Sequence, residues 1–290
     1  MLRIAYPDGL RTIVRTAPST SAVVSWNTTE PAGQIDLAVY RADGALSGWL
    51  EYVAFGQSGR RSCSGGDEVA RIDTDIVRAD APITAIEVRS SVPLNMIAVS
   101  TPVETAPRTP IHPQAPLDVR ALSQYLPEHA PATNWCSAAS LAMLLDYWGR
   151  PADVADVARG VFDDSYQGTG NWAFNVAYAG TLGLRAVVVH LSGLNAAAAF
   201  IRAGIPLALS FAWKNGELPG APLGASQGHL AVLRGFPSAQ LVRFNDPAQT
   251  GVVTTYSSEK FDAVWRAHGG IAYAMVPPER TDELLALANA

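Results

Sequence analysis

The sequence predicts an α+β protein in which a strand-rich N-terminal region precedes a region of helices followed by antiparallel strands. Residues 3–101 consist of short alternating segments separated by turn residues such as Ala42-Asp43-Gly44, which is typical of a β-sandwich or jelly roll. The pattern then changes to an apolar stretch from Trp135 to Trp148 that ends at Gly149, as expected for a buried helix with a glycine cap. Strand and helix patterns continue from there, in the order of an α+β domain.

Periodicity and turn signals define the other elements of the second region. We predict helices at 151–159, 172–179, 195–203 and 258–267, and strands at 185–190, 205–211, 229–235, 241–246, 252–256 and 271–276. Only a short segment, 236–240, separates two of these strands, so an antiparallel hairpin is the simplest interpretation of 229–246.

A proline-rich segment predicts the boundary between the two regions, since prolines remove backbone donors and favour extended chain. We therefore expect a sandwich-like domain over 1–101 as a candidate binding or interaction domain, and a linker over 102–117. The α+β domain then covers 118–277, and a C-terminal tail of helical character covers 278–290.

Composition and charge exclude several classes of protein. The chain has 290 residues, of which 48% are hydrophobic and 16% charged, so it can form a full core and is not a disordered chain. Its net charge of -5 and the lack of basic clusters argue against nucleic acid as a partner. Neither a signal peptide nor a membrane span is recognisable. The sequence as written predicts a cytoplasmic protein, or an extracytoplasmic one if a signal was removed, and leaves the oligomeric state open.

The two cysteines lie far apart and lack the close Cys or His pairing of a zinc site, so no metal or other cofactor is expected. Cys63 lies in a loop rich in glycine and serine, whereas Cys136 begins the apolar helix. We predict two free thiols.

Cys136, His229 and Asp246 form a candidate nucleophile, base and orienting group. A thiol at a helix N-terminus is favoured as thiolate, because the unpaired N–H groups and the helix dipole stabilise the anion. An imidazole exchanges protons near neutral pH, and His229 follows Gly228 at the start of a predicted strand. Asp246 ends the paired strand, where the hairpin would bring it to the far imidazole nitrogen.

Attack on an amide also requires donors for the developing oxyanion. The backbone N–H of Cys136 is one candidate. An upstream side-chain amide would be the second, and Gln124 and Asn134 are rivals for that role.

Three segments together resemble the bacteriocin-processing, double-glycine-leader branch of papain-like cysteine peptidases, in its stand-alone form. They are Asn134-Trp135-Cys136-Ser137-Ala138-Ala139, Gly228-His229-Leu230 and Asn245-Asp246-Pro247. The resemblance covers roughly 118–277 and implies a papain-like, peptidase C39-like domain. The Ser47-Gly48-Trp49 segment is similar to a motif of N-terminal regions in such bacterial proteins.

The resemblance implies that Cys136, His229 and Asp246 form the triad, that Gln124 completes the oxyanion hole, and that a peptide or protein substrate is cleaved after small residues such as Gly-Gly. Trp135, Trp213 and Gly228 are the candidate substrate-binding residues, because they lie beside the nucleophile or the base. The chain departs from the family at Ser137 and Ala138, where glycine with proline or alanine is frequent, and in the distance from Gln124 to Cys136.

Two other functions remain open on the sequence alone. A papain-like fold can be retained as a catalytically silent binding or adhesion module. The same triad can also serve a thiol acyltransferase or an amidase that acts on a non-peptide substrate.

Overall fold

The structure is a computed structural model that describes residues 1–57, 59–129 and 133–290. The chain divides into two compact units. The first contains Met1–Pro102 and Val161–Val188, and the second contains Val103–Gly160 and Val189–Ala290. Within the described residues, no helix combines the length and the apolar character that crossing a membrane requires.

Among the described residues, nine strands precede the first helix, and helices and strands are mixed after it. The strands are β1 (Leu2–Ala5), β2 (Arg11–Asn27), β3 (Gly33–Arg41), β4 (Leu50–Gly56), β5 (Gly59–Ser62), β6 (Gly65–Gly66), β7 (Arg71–Asp73), β8 (Ile76–Ser90), β9 (Met96–Ser100), β10 (Arg185–His190), β11 (Leu207–Trp213), β12 (Ser226–Ser238), β13 (Leu241–Asn245), β14 (Val253–Ser257) and β15 (Ile271–Val276). The helices are α1 (Cys136–Tyr147), α2 (Val154–Val161), α3 (Trp172–Thr181), α4 (Leu194–Arg202), α5 (Ser258–Ala267) and α6 (Thr281–Ala288), with a 3-10 turn at Pro278–Arg280. The predicted helices and strands of the second region all occur, with ends displaced by a few residues at most positions.

The N-terminal strands form one hydrogen-bonded sheet, and the predicted sandwich or jelly roll stays a prediction. The main path runs β1-β9-β2-β8-β3-β4-β5, and β6 and β7 join it through β8. The pairing of the long strands β2 and β8 has register shifts between Arg15 and Ser21. Such irregularities bend strands, so β2 and β8 can stay paired with each other on both sides of the bend. The alternation of apolar and polar residues in the sequence predicts the strands, but it does not predict that they form one continuous sheet.

Aromatic rings form the centre of the first unit's core. The Trp26 indole is buried, with ring centroids 6.1 Å from Tyr52, 6.0 Å from Phe55 and 5.9 Å from Phe174. Phe174 comes from α3, which packs against β2. A helix that lies far along the chain therefore covers the apolar face of this sheet.

Asp163 ties the segment before α3 to the sheet. Its buried carboxylate accepts hydrogen bonds from the backbone N–H groups of Ser62, Ser165 and Tyr166, at 3.0, 3.0 and 3.3 Å, and from the side-chain amide of Asn171 at 2.9 Å. These contacts and α3 explain why 161–188 group with the N-terminal strands, whereas the sequence predicted an uninterrupted second domain over 118–277.

The second unit is organised around a sheet with the strand order β10-β15-β11-β12-β13-β14, in which the last residues of β10 belong to this unit. The predicted hairpin is present, since β12 and β13 pair antiparallel with Val232 opposite Asn245. Helix α1 packs on β12, where the hydroxyl of Ser140 donates to the carbonyl of Leu230 at 3.1 Å. The N-terminus of α1 and the start of β12 therefore lie side by side.

The proline-rich segment 102–117 contains no helix or strand of its own. Its end lies along β12, because the N–H of Gln114 donates to Phe236 at 2.8 Å and the N–H of Leu117 donates to Arg234 at 2.8 Å. An added Cβ at Gly235 would lie 2.7 Å from the backbone of Pro116. Only glycine allows this close approach.

Replacing Asp163 with alanine should lower the free energy of unfolding of the first unit by about 3 kcal/mol, because buried N–H donors lose their acceptor. Urea denaturation with hydrogen exchange at Ser62 and Asn171 measures the change. The exposed neighbour Asp164 provides the control, and Asp164→Ala should change stability by less than about 0.5 kcal/mol. Equal stability of the two variants would contradict this role for Asp163.

Candidate active site

Cys136 is the first residue of α1 and is partly exposed, while the rest of the helix is buried from Ser137 to Leu145. The residue at the cap position is Trp135, and no side chain in the described residues caps the helix there. The first-turn N–H groups therefore remain directed at the end of the helix where the thiol lies. This position favours a thiolate.

His229 lies near the start of β12, opposite Phe211 of β11, and its side chain is buried. Its Nε2 is 2.8 Å from Oδ1 of Asp246. This contact leaves Nδ1 free of Asp246, and the thiol of Cys136 lies close enough to the imidazole for the two groups to shift each other's pKa. The structure thus brings together the three residues that the sequence predicted as nucleophile, base and orienting group.

Asp246 directly follows β13 and is fully buried. Its Oδ1 also accepts from the N–H of Ala248 at 3.0 Å, while Oδ2 accepts from the hydroxyl of Tyr256 at 2.6 Å. Both carboxylate oxygens are therefore bonded, and the side chain is held in one orientation. A buried carboxylate needs such partners to keep its charge.

Electrostatic coupling between Cys136 and His229 favours the ion pair over two neutral groups. Burial opposes ionisation of the thiol, but the charge of His229 and the hydrogen bond with it outweigh burial and lower the pKa of Cys136. Burial likewise opposes protonation of the imidazole, yet Cys136 and then Asp246 outweigh it and raise the pKa of His229. The site therefore favours a thiolate beside an imidazolium.

Aromatic rings shield the imidazole from solvent. The centroid of the His229 ring lies 5.3 Å from that of Phe211 and 5.7 Å from that of Trp213, both in edge-on arrangements. Trp213 is only 4% exposed, and its indole N–H donates to the carbonyl of Leu223 at 3.2 Å. Its ring contact is with His229, and its role in substrate binding stays a prediction.

Gln124 and Asn134 differ in their placement. Gln124 is buried and its backbone N–H donates to Pro247 at 3.0 Å, one residue beyond Asp246. Its side-chain amide donates to the carbonyl of Thr133, and its Oε1 has no partner among the described residues. Asn134 is exposed. Of the two rivals, Gln124 is therefore the one that is fixed next to the carboxylate end of the site.

Asn245 holds the segment that leads to Gln124. Its side-chain amide donates to the carbonyls of Val119 and Arg120 at 3.0 and 3.2 Å, and its Oδ1 accepts from Arg234 at 3.0 Å. In the sequence, Asn245 is recognisable only as part of the Asn245-Asp246-Pro247 segment. Its burial next to Asp246 shows that it joins the hairpin to the chain upstream of the nucleophile.

Two of the predicted substrate-binding residues border accessible space. Gly228 is exposed, and a Cβ added there would contact nothing within 4 Å. Trp135 is partly exposed, with its ring centroid 5.4 Å from that of His129. Open space therefore lies beside both the base and the nucleophile.

Tyr256 and Gln249 also belong to the surroundings of the site, and the sequence did not predict either of them. Tyr256 was recognised only as the end of a predicted strand, and Gln249 was not singled out. The available signal was chemical, since a buried aspartate beside a histidine needs a donor for its second oxygen. Which of several nearby hydroxyl groups supplies that donor depends on the pairing of β13 with β14, where Tyr256 lies opposite Val242.

The site combines a thiol at a helix N-terminus, an imidazole on the adjoining strand and a carboxylate behind that imidazole. This is the class of site in which a base activates a cysteine. Residues 116–273 match the Peptidase_C39 like family. This is more than half of the 290-residue chain, and the protein belongs to that family of cysteine peptidases.

Two solved structures are similar to part of the chain. One is described as a C39-like peptidase from Bacillus anthracis, with 20% identity, a TM-score of 0.43, and coverage of 56% of this chain and 98% of the other. The second is a double glycine motif protease from an AMS/PCAT transporter in complex with the leader peptide, with 20% identity, a TM-score of 0.38, and coverage of 58% and 99%. No curated protein matches the chain.

The ion pair predicts how fast Cys136 reacts with iodoacetamide at low pH. In a Cys63→Ser background, His229→Ala should raise the pKa of Cys136, because a positive neighbour and a hydrogen bond are lost. The alkylation rate at pH 6 should then fall by roughly tenfold or more, while the rates converge near pH 10, where the thiol ionises without help.

His112→Ala is the matched control, since His112 is an exposed residue of the proline-rich segment. It should leave the rate at pH 6 unchanged. If His229→Ala reacted as fast as the parent at pH 6, the coupling between the two groups would be disproved.

Proposed function

We propose that the protein is a cysteine peptidase that hydrolyses peptide bonds through Cys136, His229 and Asp246. The observation that carries this proposal is the Cys136 thiol at a helix N-terminus, electrostatically coupled to an imidazole whose Nε2 lies 2.8 Å from the buried carboxylate of Asp246. Membership of the Peptidase_C39 like family supports it independently. A silent binding module would have no need for a partly exposed thiol whose pKa is lowered by a buried histidine.

In the first half of the reaction, the Cys136 thiolate attacks the carbonyl carbon of the scissile bond and forms a tetrahedral intermediate. The imidazolium of His229 then gives its proton to the leaving nitrogen, the carbon–nitrogen bond breaks, and a thioester to Cys136 remains. Asp246 keeps the imidazole in the orientation that serves this transfer. The amine product leaves with one proton from the enzyme.

In the second half, His229 accepts a proton from water while the water oxygen attacks the thioester carbon. The carbon–sulfur bond breaks, the carboxylic acid product is released, and the thiolate–imidazolium pair is restored. One water molecule is consumed for each peptide bond.

We infer that the backbone N–H of Cys136 and the side-chain amide of Gln124 stabilise the oxyanion. The support for Gln124 is its burial and its anchoring beside Asp246 through Pro247. One of its two amide hydrogens is engaged by Thr133, so the second is the one available to an oxyanion. Donors of this kind commonly contribute about 3 kcal/mol each.

We propose small residues on the acyl side of the cleaved bond, such as Gly-Gly, and a peptide or protein as substrate. Space beside His229 at Gly228 and beside Cys136 at Trp135 supports an extended chain that passes both residues. None of the three reacting groups comes from the strands of the first unit, and we assign residues 1–101 a binding role rather than a chemical one.

Cys136→Ala should abolish hydrolysis of a peptide library, because no other group in the proposal forms the acyl-enzyme. Cys63→Ala is the matched control and should retain full turnover, since Cys63 lies in the first unit beside Glu51. Cleavage products are counted by mass spectrometry, with glycine, alanine and serine expected before the cut. Undiminished cleavage by Cys136→Ala would exclude thiol chemistry. Hydrolysis of simple amides by a protein that cleaves no peptide would exclude a peptidase function.

A further inference from the structure

A chain of hydrogen bonds continues behind Asp246, on the side away from His229. The hydroxyl of Tyr256 donates to Oδ2 of Asp246 at 2.6 Å, and among the described residues Oδ2 receives its hydrogen bond from Tyr256 alone. The side-chain amide of Gln249 lies near this hydroxyl, where it partly offsets the rise in the pKa of Tyr256, and it donates to the carbonyl of Gly220 at 2.6 Å. The backbone N–H of Gln249 donates to the backbone carbonyl of Asp246 at 3.1 Å.

We propose that Tyr256 is a positioning residue of the site: it fixes the orientation and the charge of Asp246, and Gln249 links this tyrosine to the loop that precedes β12. This inference rests on the proposed function, because it adds a fourth group behind the nucleophile, the base and the carboxylate. Tyr256 contacts no reacting atom and acts through Asp246.

The surroundings of Tyr256 shield its side chain from bulk solvent. The residue is 1% exposed, and its ring is stacked on that of Phe261 with 5.9 Å between centroids. The ring of Phe244 lies 5.7 Å away on the other strand of the pair. A phenol held rigidly between two apolar rings can direct its proton only to a nearby acceptor, and a charged acceptor makes the stronger hydrogen bond.

Titratable groups face Asp246 from three elements. They are Cys136 from α1, His229 from β12 and Tyr256 from β14. The neighbouring side chains from β13 and α5 are the apolar Phe244 and Phe261. The hydroxyl of Tyr256 is thus a neutral donor that stabilises the carboxylate opposite the imidazolium. Burial, and then the charge of Asp246, raise the pKa of Tyr256, so the donor proton is retained at every working pH.

Gln249 connects this tyrosine to the loop between β11 and β12. The loop carries Gly220, and its exposed Leu223 offers the carbonyl that the indole of Trp213 holds. Since Trp213 lies against the ring of His229, the loop contacts the site at two places. One is beside the base, and the other is behind the carboxylate.

Tyr256→Phe removes the hydroxyl and keeps the packed ring. We expect the alkaline limb of kcat/KM for peptide cleavage, where the imidazolium of the free enzyme loses its proton, to move down by about one pH unit. The cause is that Asp246 helps to raise the pKa of His229, and a carboxylate that has lost one of its hydrogen bonds holds the imidazolium less well. On the plateau of the pH profile, kcat should fall more than KM rises.

Tyr147→Phe is the matched control, because its hydroxyl also donates a single hydrogen bond, to Gly204 at 2.9 Å, at the far end of α1. It should not move the alkaline limb. Gln249→Leu, at a partly exposed position, is the second variant and should move the limb in the same direction by a smaller amount. It decides the question if Tyr256→Phe fails to fold.

The outcomes separate this inference from the proposed function. If the parent protein itself alkylates with the acid limb of an ordinary thiol, the proposed function fails. If the parent alkylates at low pH and cleaves peptides, and Tyr256→Phe and Gln249→Leu have the same alkaline limb as the parent, the site functions without Tyr256 and this inference is overturned.

Discussion

The hydrogen bond between His229 and Asp246, 2.8 Å long and fully buried, is the contact on which the rest of the site depends. It can form because β12 and β13 are a hairpin in which the histidine begins one strand and the aspartate follows the other. It also decides which imidazole nitrogen faces Cys136. A buried ion pair is stable only when its other polar atoms are bonded, and the residues around the site meet that condition.

Those supporting residues come from successive layers of the second unit. Ala248 and Tyr256 bind the carboxylate oxygens of Asp246, and Asn245 binds the segment that carries Gln124. Phe211 and Trp213 surround the imidazole and exclude water from it. Preorganisation of this kind lowers the cost of forming charges during a reaction. The chemistry is therefore supported by buried strands, while Gly228 and Trp135 border the open side.

Much of the site could be predicted from the sequence, because a thiol at the start of an apolar helix, a Gly-His at a strand start and an Asp after the paired strand are local patterns. The positions of Tyr256 and Gln249 were not predictable in this way. Their contacts depend on how β14 pairs with β13 and on where the turn after Asp246 directs its side chains. Trp213 was placed beside the base correctly, but its burial depends on packing against Phe211, which periodicity does not show. The N-terminal strands were recognised by alternation, yet the single sheet and its closure by α3 depend on contacts between residues far apart in the chain, such as Trp26 and Phe174.

Capture of the acyl-enzyme tests the central claim most directly. A peptide ester is mixed with the full-length protein, the reaction is quenched in acid within one turnover, and the protein is analysed by intact mass and peptide mapping. The account predicts a mass increase equal to the acyl group, located on Cys136 and lost on further incubation at neutral pH. An acyl group located on Cys63, or hydrolysis of the ester without any adduct on Cys136, would contradict it.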